Sequence, residues 1–251
     1  MLIGIRDAIR RDRRSNDDTE AESGFSLLEL IVAMAILGIA MALIAGLFIS
    51  FTNNFTETRS LNDSTNVAAI GMNEMTKVIR AGTIIDVATG ADEPVFVKAE
   101  KEEVILHSYL ADTSVNPAPI LVRLAVNTDR KLTEERWNAT KVGEQWTFPA
   151  LVLTPAPSRI ATTAASNNVI ASKLIAPTTA QVAAGEKYLF TYLDINNQPI
   201  ATPVPTAQLG NIASVQVTML VQADITARAA PVKLQSRVGL PNLTSSRIGL
   251  H

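Results

Sequence analysis

The chain contains no cysteine. That excludes disulfides, cysteine nucleophiles and zinc–thiolate sites. It does not exclude an extracellular location, because a domain of this size buries enough surface to do without staples. Histidine is nearly absent: only His107 and His251 occur. No serine–histidine–acid or paired-histidine arrangement can be built from them. A glycine-rich phosphate loop is also missing. The chain therefore reads as a non-enzyme that needs no cofactor. Basic charge is not in excess, since the formal net charge is -2, so no direct nucleic-acid binding is expected. The first 24 residues carry no apolar core of their own. They are not a secretory signal peptide, because the apolar stretch comes after them and is too long for a signal core.

That stretch organises the rest. Residues 24–51 read GFSLLELIVAMAILGIAMALIAGLFISF. One acid, Glu29, precedes twenty residues, 30–49, that contain neither charge nor proline. As a helix they span roughly 30 Å, the thickness of a bilayer core. A carboxylate in such a segment is expensive, on the order of 2.5–3.5 kcal/mol at mid-helix and less near an end. Glu29 either snorkels to the headgroups or awaits a cation from another subunit. Arg6, Arg10, Arg11, Arg13 and Arg14 precede the span, and only Arg59 lies in the comparable stretch after it. The positive-inside rule then puts the N-terminus in the cytoplasm and the bulk of the chain outside. Gly38, Ala42 and Gly46 recur every four residues, a spacing that lets a second helix approach closely.

Beyond the span the helical pattern continues. Phe48, Phe51, Phe55, Thr58, Leu61, Thr65, Ala68, Met72, Met75 and Ile79 follow steps of three and four, one stripe of an amphipathic helix. The pattern predicts a single helix from Phe25 to Ala81, with Gly82 as its C-cap. From Thr83 the texture becomes short β-type runs: 95–98, 104–110, 120–126, 145–148, 151–153, 188–193 and 232–238. Val215, Val217, Met219 and Val221 alternate with polar residues, the cleanest half-buried strand. Asp194–Pro199 reads as a hairpin turn. A calcium role for Asp194, Asn196 and Asn197 is the weaker alternative, since the rest of a calcium loop is missing. Residues 154–179, with a short apolar segment at 169–175, read as a long surface excursion holding one short helix. Trp137 and Trp146 read as core or hairpin packing rather than an adhesive patch. The expected class is α+β: a long N-terminal helix packed on an antiparallel β-sheet domain.

Gly24, Phe25, Glu29 and the apolar run after them resemble the cleavage and methylation motif of type IV prepilins and of the pseudopilins of type II secretion. The resemblance implies cleavage between Gly24 and Phe25 by a prepilin peptidase, which also methylates the new amine on Phe25. It implies that Glu29 pairs with the terminal amine of a neighbouring subunit, and that Gly38, Ala42 and Gly46 line a helix-packing face. The implied partners are the prepilin peptidase, other pilin subunits, the assembly platform and the lipid bilayer. One departure is Glu22-Ser23 before the glycine, where family leaders often carry a basic residue. The implied domains are a cytoplasmic leader (1–24), a membrane and polymerisation helix (25–51), the amphipathic half of that helix (52–82) and a β-rich extracytoplasmic domain (83–251). A non-helical part of about 170 residues is large for a major pilin, which favours a minor subunit. The alternatives are a pseudopilin of a secretion or DNA-uptake machine, a signal-anchored surface binding protein that never polymerises, and, last, an anchored enzyme.

Overall fold

The computed structural model describes residues 26–85, 92–110, 118–143, 145–152, 159–160, 163–223 and 229–241. Its first element is one helix, α1 (Leu27–Arg80). Two compact units divide the chain, residues 1–53 and residues 54–251, so α1 contributes to both. In the first unit residues 30–49 of the helix carry no charge, and their side chains are exposed apart from the half-buried Ala40. In the second unit it has a buried face: Ser64, Ala68, Gly71, Met72, Met75, Val78 and Ile79.

The β-rich part follows in chain order. The first strands are β1 (Phe96–Ala99), β2 (Glu103–Ser108), β3 (Ile120–Val126) and β4 (Leu132–Asn138). Four short strands come next, β5 (Thr140–Val142), β6 (Gln145–Thr147), β7 (Leu151–Val152) and β8 (Arg159–Ile160), pairing as β5 with β6 and β7 with β8. Then come β9 (Ser166–Ala171), a one-turn helix α2 (Thr179–Ala183), β10 (Phe190–Leu193), β11 (Pro199–Ile200), β12 (Ser214–Val221) and β13 (Val232–Gly239). One antiparallel sheet has the order β1-β2-β3-β4-β9, and a second has β11-β10-β12-β13. They meet where Leu174 bridges Val221 and Ile175 N donates to Leu220 O at 2.9 Å.

Period-two alternation builds the core. Val104 and Leu106 of β2, Val122 and Leu124 of β3, and Val215, Val217 and Met219 of β12 are all buried with Ala68, Met75 and Ile79 of α1. The expected arrangement, a long helix followed by an antiparallel sheet domain, is therefore the one found. Gly71 marks the tightest approach: a Cβ there would lie 2.8 Å from Ala171 Cβ and from Met219 Cε. Ser64 fixes the start of the buried face, donating to Ser60 O and accepting from Ala223 N, each at 2.8 Å. Tyr192 joins the two sheets, its hydroxyl donating to Glu100 O at 2.9 Å. Burial pushes that phenol well above its usual range, aided by the charge of Glu100.

Three expectations change. Phe48, Phe51 and Phe55 are exposed, so the buried stripe begins only at Ser64. The helix ends at Arg80, and Gly82 does not adopt a left-handed conformation. Its hydrogen faces Val95 Cγ1, which a Cβ would meet at 2.7 Å, so close packing rather than capping calls for glycine. The excursion at 154–179 holds strand β9 at the sheet edge, and the short helix falls later, at α2. Strands β4 and β5 lie in a stretch the sequence left unassigned.

Candidate functional site

The candidate site is the start of α1. Ser26 is the residue before the helix, and its Oγ accepts from Glu29 N at 3.2 Å, while Leu30 N donates to Ser26 O at 3.1 Å. Ser26 thus satisfies one of the helix's orphan amides, as an N-cap does. Sequence reasoning passed over it. The signal was there: Ser26-Leu-Leu-Glu29 has the serine-to-acid spacing of a capping box. Glu29 sits at the third helical position, in the first turn, where the helix macrodipole favours negative charge by about 0.3–1 kcal/mol.

Among the described residues no cation lies within ion-pair distance of the Glu29 carboxylate. The side chain is exposed on a segment that is otherwise apolar. Such a carboxylate is tolerable at a headgroup boundary, and it gains most from a cation brought to it in low dielectric. Gly24 and Phe25 lie outside the described residues, as do the five leader arginines.

Downstream, Gly38, Ala42 and Gly46 are helical and exposed. Successive steps of four turn each residue about 40° on from the last, so the three share one side of α1. A Cβ at Gly38 or Gly46 would meet nothing within 4 Å. This small-residue side is open in the isolated chain, the condition for another helix to approach it.

The remaining candidates are accounted for by the fold. Asp194 Oδ1 accepts from Asn196 N at 2.9 Å and Gln198 N at 2.7 Å, so it serves the β10–β11 turn. Trp137 is buried with Ile105 and Leu121, and Trp146 sits in the β5–β6 hairpin with Lys141 Nζ 5.9 Å from its ring. His107 is buried in β2. His251 lies outside the described residues.

Among the described residues α1 is the one helix long and apolar enough to cross a membrane, and its most apolar window is wholly unburied. A family model described as a prokaryotic N-terminal methylation motif matches residues 21–45. The matched residues include Gly24, Phe25, Glu29, Gly38 and Ala42 and run into α1. The chain has no match among curated proteins.

Proposed function

We propose that this chain, type IV pilin-like by its methylation motif and long apolar helix, is a minor pilin subunit. It is anchored in the membrane by a single pass. A prepilin peptidase cuts after Gly24 and methylates the amine of Phe25. The mature chain then leaves the bilayer and joins a filament through the first half of α1. The observation that carries this reading is the motif match over residues 21–45, which spans the cut, the acid and the start of the helix together.

The physical drive has two parts. An apolar helix leaves lipid for a bundle of like helices, its small-residue side allowing close contact. The carboxylate of Glu29 meets the Phe25 amine of a neighbouring subunit. A charge pair in low dielectric is favourable only when both partners are present, so Glu29 selects register as well as adding attraction. The leader is the cytoplasmic side and the β-rich part the outer side, in keeping with the arginine bias. Partners on this reading are the peptidase, other pilin subunits and the assembly platform. Its role is structural.

Two measurements test it. The intact mass and N-terminal residue of protein recovered from membranes and from sheared surface material should give a chain starting at methylated Phe25. A chain that still starts at Met1 with the peptidase present refutes processing and favours a non-polymerising anchored protein. Glu29→Ala and Glu29→Leu should insert normally but fail to enter filaments. Normal incorporation of either variant removes the pairing role. Recovery in a secretion pseudopilus rather than a surface pilus would reassign the filament and keep the chemistry.

A further inference from the structure

A cleft of about 570 Å³ lies between the two large sheets. It is lined by the β1–β2 turn, by the end of β3, by Tyr188 before β10, and by Thr202 and Pro203 after β11. That is the size of a small-molecule site. The turn, Glu100-Lys-Glu-Glu103, is held from three directions. The Tyr192 hydroxyl donates to Glu100 O at 2.9 Å, Phe190 N to Lys101 O at 3.0 Å, and Val126 N to Glu102 O at 3.0 Å. Three successive carbonyls are thus fixed by both sheets. Side chains presented from so rigid a base cost a ligand little ordering.

The charges here are spent on one another. Glu102 accepts from both Nη atoms of Arg130, each at 2.8 Å. Glu103 accepts from Lys98 and from Arg123 Nε, and Arg123 Nη1 reaches Glu135 at 2.7 Å. Lys98 also reaches Glu100, at 3.0 Å. Those three cations leave one carboxylate in excess, and Lys101 cancels it. Among the described residues no carboxylate lies within ion-pair distance of Lys101, whose Nζ sits 4.4 Å from the Tyr188 ring centroid.

What the pairing leaves over is hydrogen-bonding capacity without net charge. A carboxylate oxygen has two lone pairs, so Glu102 keeps one on each oxygen after serving Arg130. Glu100 Oε2 and Arg123 Nη2 have no partner among the described residues. Lys101 offers three N–H donors. Beside these groups lie apolar surfaces, Val126, Pro203 and the Tyr188 ring. A charged ligand finds no opposite net charge to meet. A wholly apolar one would strip water from donors and acceptors and return nothing. A neutral ligand dense in hydroxyls, each both donor and acceptor, fits both kinds of surface. We propose that this cleft binds a carbohydrate, with hydroxyls on Glu100, Lys101 and Glu102 and the C–H face of a sugar ring against Tyr188 and Pro203. The proposal is independent of cleavage after Gly24 and of entry into a filament.

The test uses the full chain in a zwitterionic detergent, because sugar-headed detergents would compete. The probes are cellobiose, maltose, lactose and diacetylchitobiose, read by saturation transfer from protein to sugar protons in NMR. At least one should give transfer that rises to saturation with concentration. Lys101→Ala should weaken that binding about tenfold, the loss of one charge-assisted hydrogen bond. Tyr188→Ala should weaken it as well. Lys101 is exposed, so its variant tests the cleft even if Tyr188→Ala disturbs packing. Trp146→Ala is the control, since the half-buried Trp146 of the β5–β6 hairpin is the other ring on which a sugar would stack, and binding should be unchanged. No transfer to any of the four sugars overturns the proposal. So does binding that Lys101→Ala leaves intact, or that falls with Trp146→Ala instead. Displacement of the sugar by free glycine overturns it too, and assigns the cleft to zwitterions.

Discussion

Placing a methyl group at Gly71 should destabilise the fold, although at an open helical position the same change would stabilise it. Glycine in an open helix is worse than alanine by about 1 kcal/mol. At Gly71 the new Cβ would lie 2.8 Å from Ala171 Cβ on β9, 2.8 Å from Met219 Cε on β12 and 3.4 Å from Met219 Sδ. Met219 is fully buried, so its flexible end has little room to give. Ala171 has only its backbone to move. Forcing extra methyl groups into a packed core costs about 1–3 kcal/mol. The overpacking wins, and Gly71→Ala should lose about 1 kcal/mol net. Gly71→Val gains less from propensity and inserts two more methyls, so its loss should reach about 3 kcal/mol. The assay is urea unfolding of the full chain in detergent, followed by tryptophan fluorescence. The midpoint should fall in the order Gly, Ala, Val with the slope unchanged. A higher midpoint for Gly71→Ala, equivalent to a gain of about 1 kcal/mol, would mean that α1 does not sit this close to β9 and β12.

Two further changes probe how the sheets are held. Tyr192→Phe removes the hydroxyl that donates to Glu100 O at 2.9 Å and keeps the ring, so unfolding should weaken by about 1 kcal/mol; an unshifted midpoint would mean the contact does not form. Arg123→Leu removes the cation that reaches Glu103 at 2.6 Å and Glu135 at 2.7 Å. Those carboxylates are mostly buried, though Lys98 still serves Glu103, so the loss should be about 2–3 kcal/mol, and adding Glu135→Gln should recover part of it. No recovery in the double variant would place the cost in lost packing of the arginine stem instead.

Legibility of the sequence followed the strength of each local signal. Strand β12 was plain because Val215, Val217, Met219 and Val221 are all buried and alternate with Gln216, Thr218 and Gln222, Leu220 apart. Strand β4 was not, because LTEERWN puts Glu134 on the buried side, 1 % exposed. Arg136, itself paired to Glu74 of α1 at 3.2 Å, compensates it there. A strand whose inner face is polar and paired across to a helix looks like a solvated loop in sequence. Strand β9 failed for a related reason: SNNVIA lies at the sheet edge and buries only Ala171 fully. Along α1 the periodicity was right from Ala68 onward. Before that the phenylalanines satisfied the pattern without a sheet to cover them. At the site, Glu29 was legible by its isolation among apolar residues. Ser26 was passed over although its spacing to Glu29 is that of a capping box, because the cap itself is a relation between a hydroxyl and a backbone amide three residues on.

That relation changes how Glu29 can be read. The Ser26 hydroxyl and the Glu29 amide use each other, so the cap at the head of α1 does not engage the carboxylate of Glu29. The helix terminus still favours a negative charge there, which offsets part of the cost of holding an acid near lipid. Two cations could complete it: the amine of the same chain's Phe25 after cleavage, or that of a neighbour. The macrodipole opposes any ammonium at its own helix's N-terminus. A neighbour's amine arrives with that same penalty at its own helix and relieves it by meeting this chain's acid. In the proposed filament, pairing between subunits would thus remove an unfavourable charge from one chain and an unpaired acid from the other, whereas in the uncut chain the Phe25 nitrogen is an amide and carries no charge to offer. On the proposed function, cutting after Gly24 would create the cation, and assembly through Glu29 would have to wait for it.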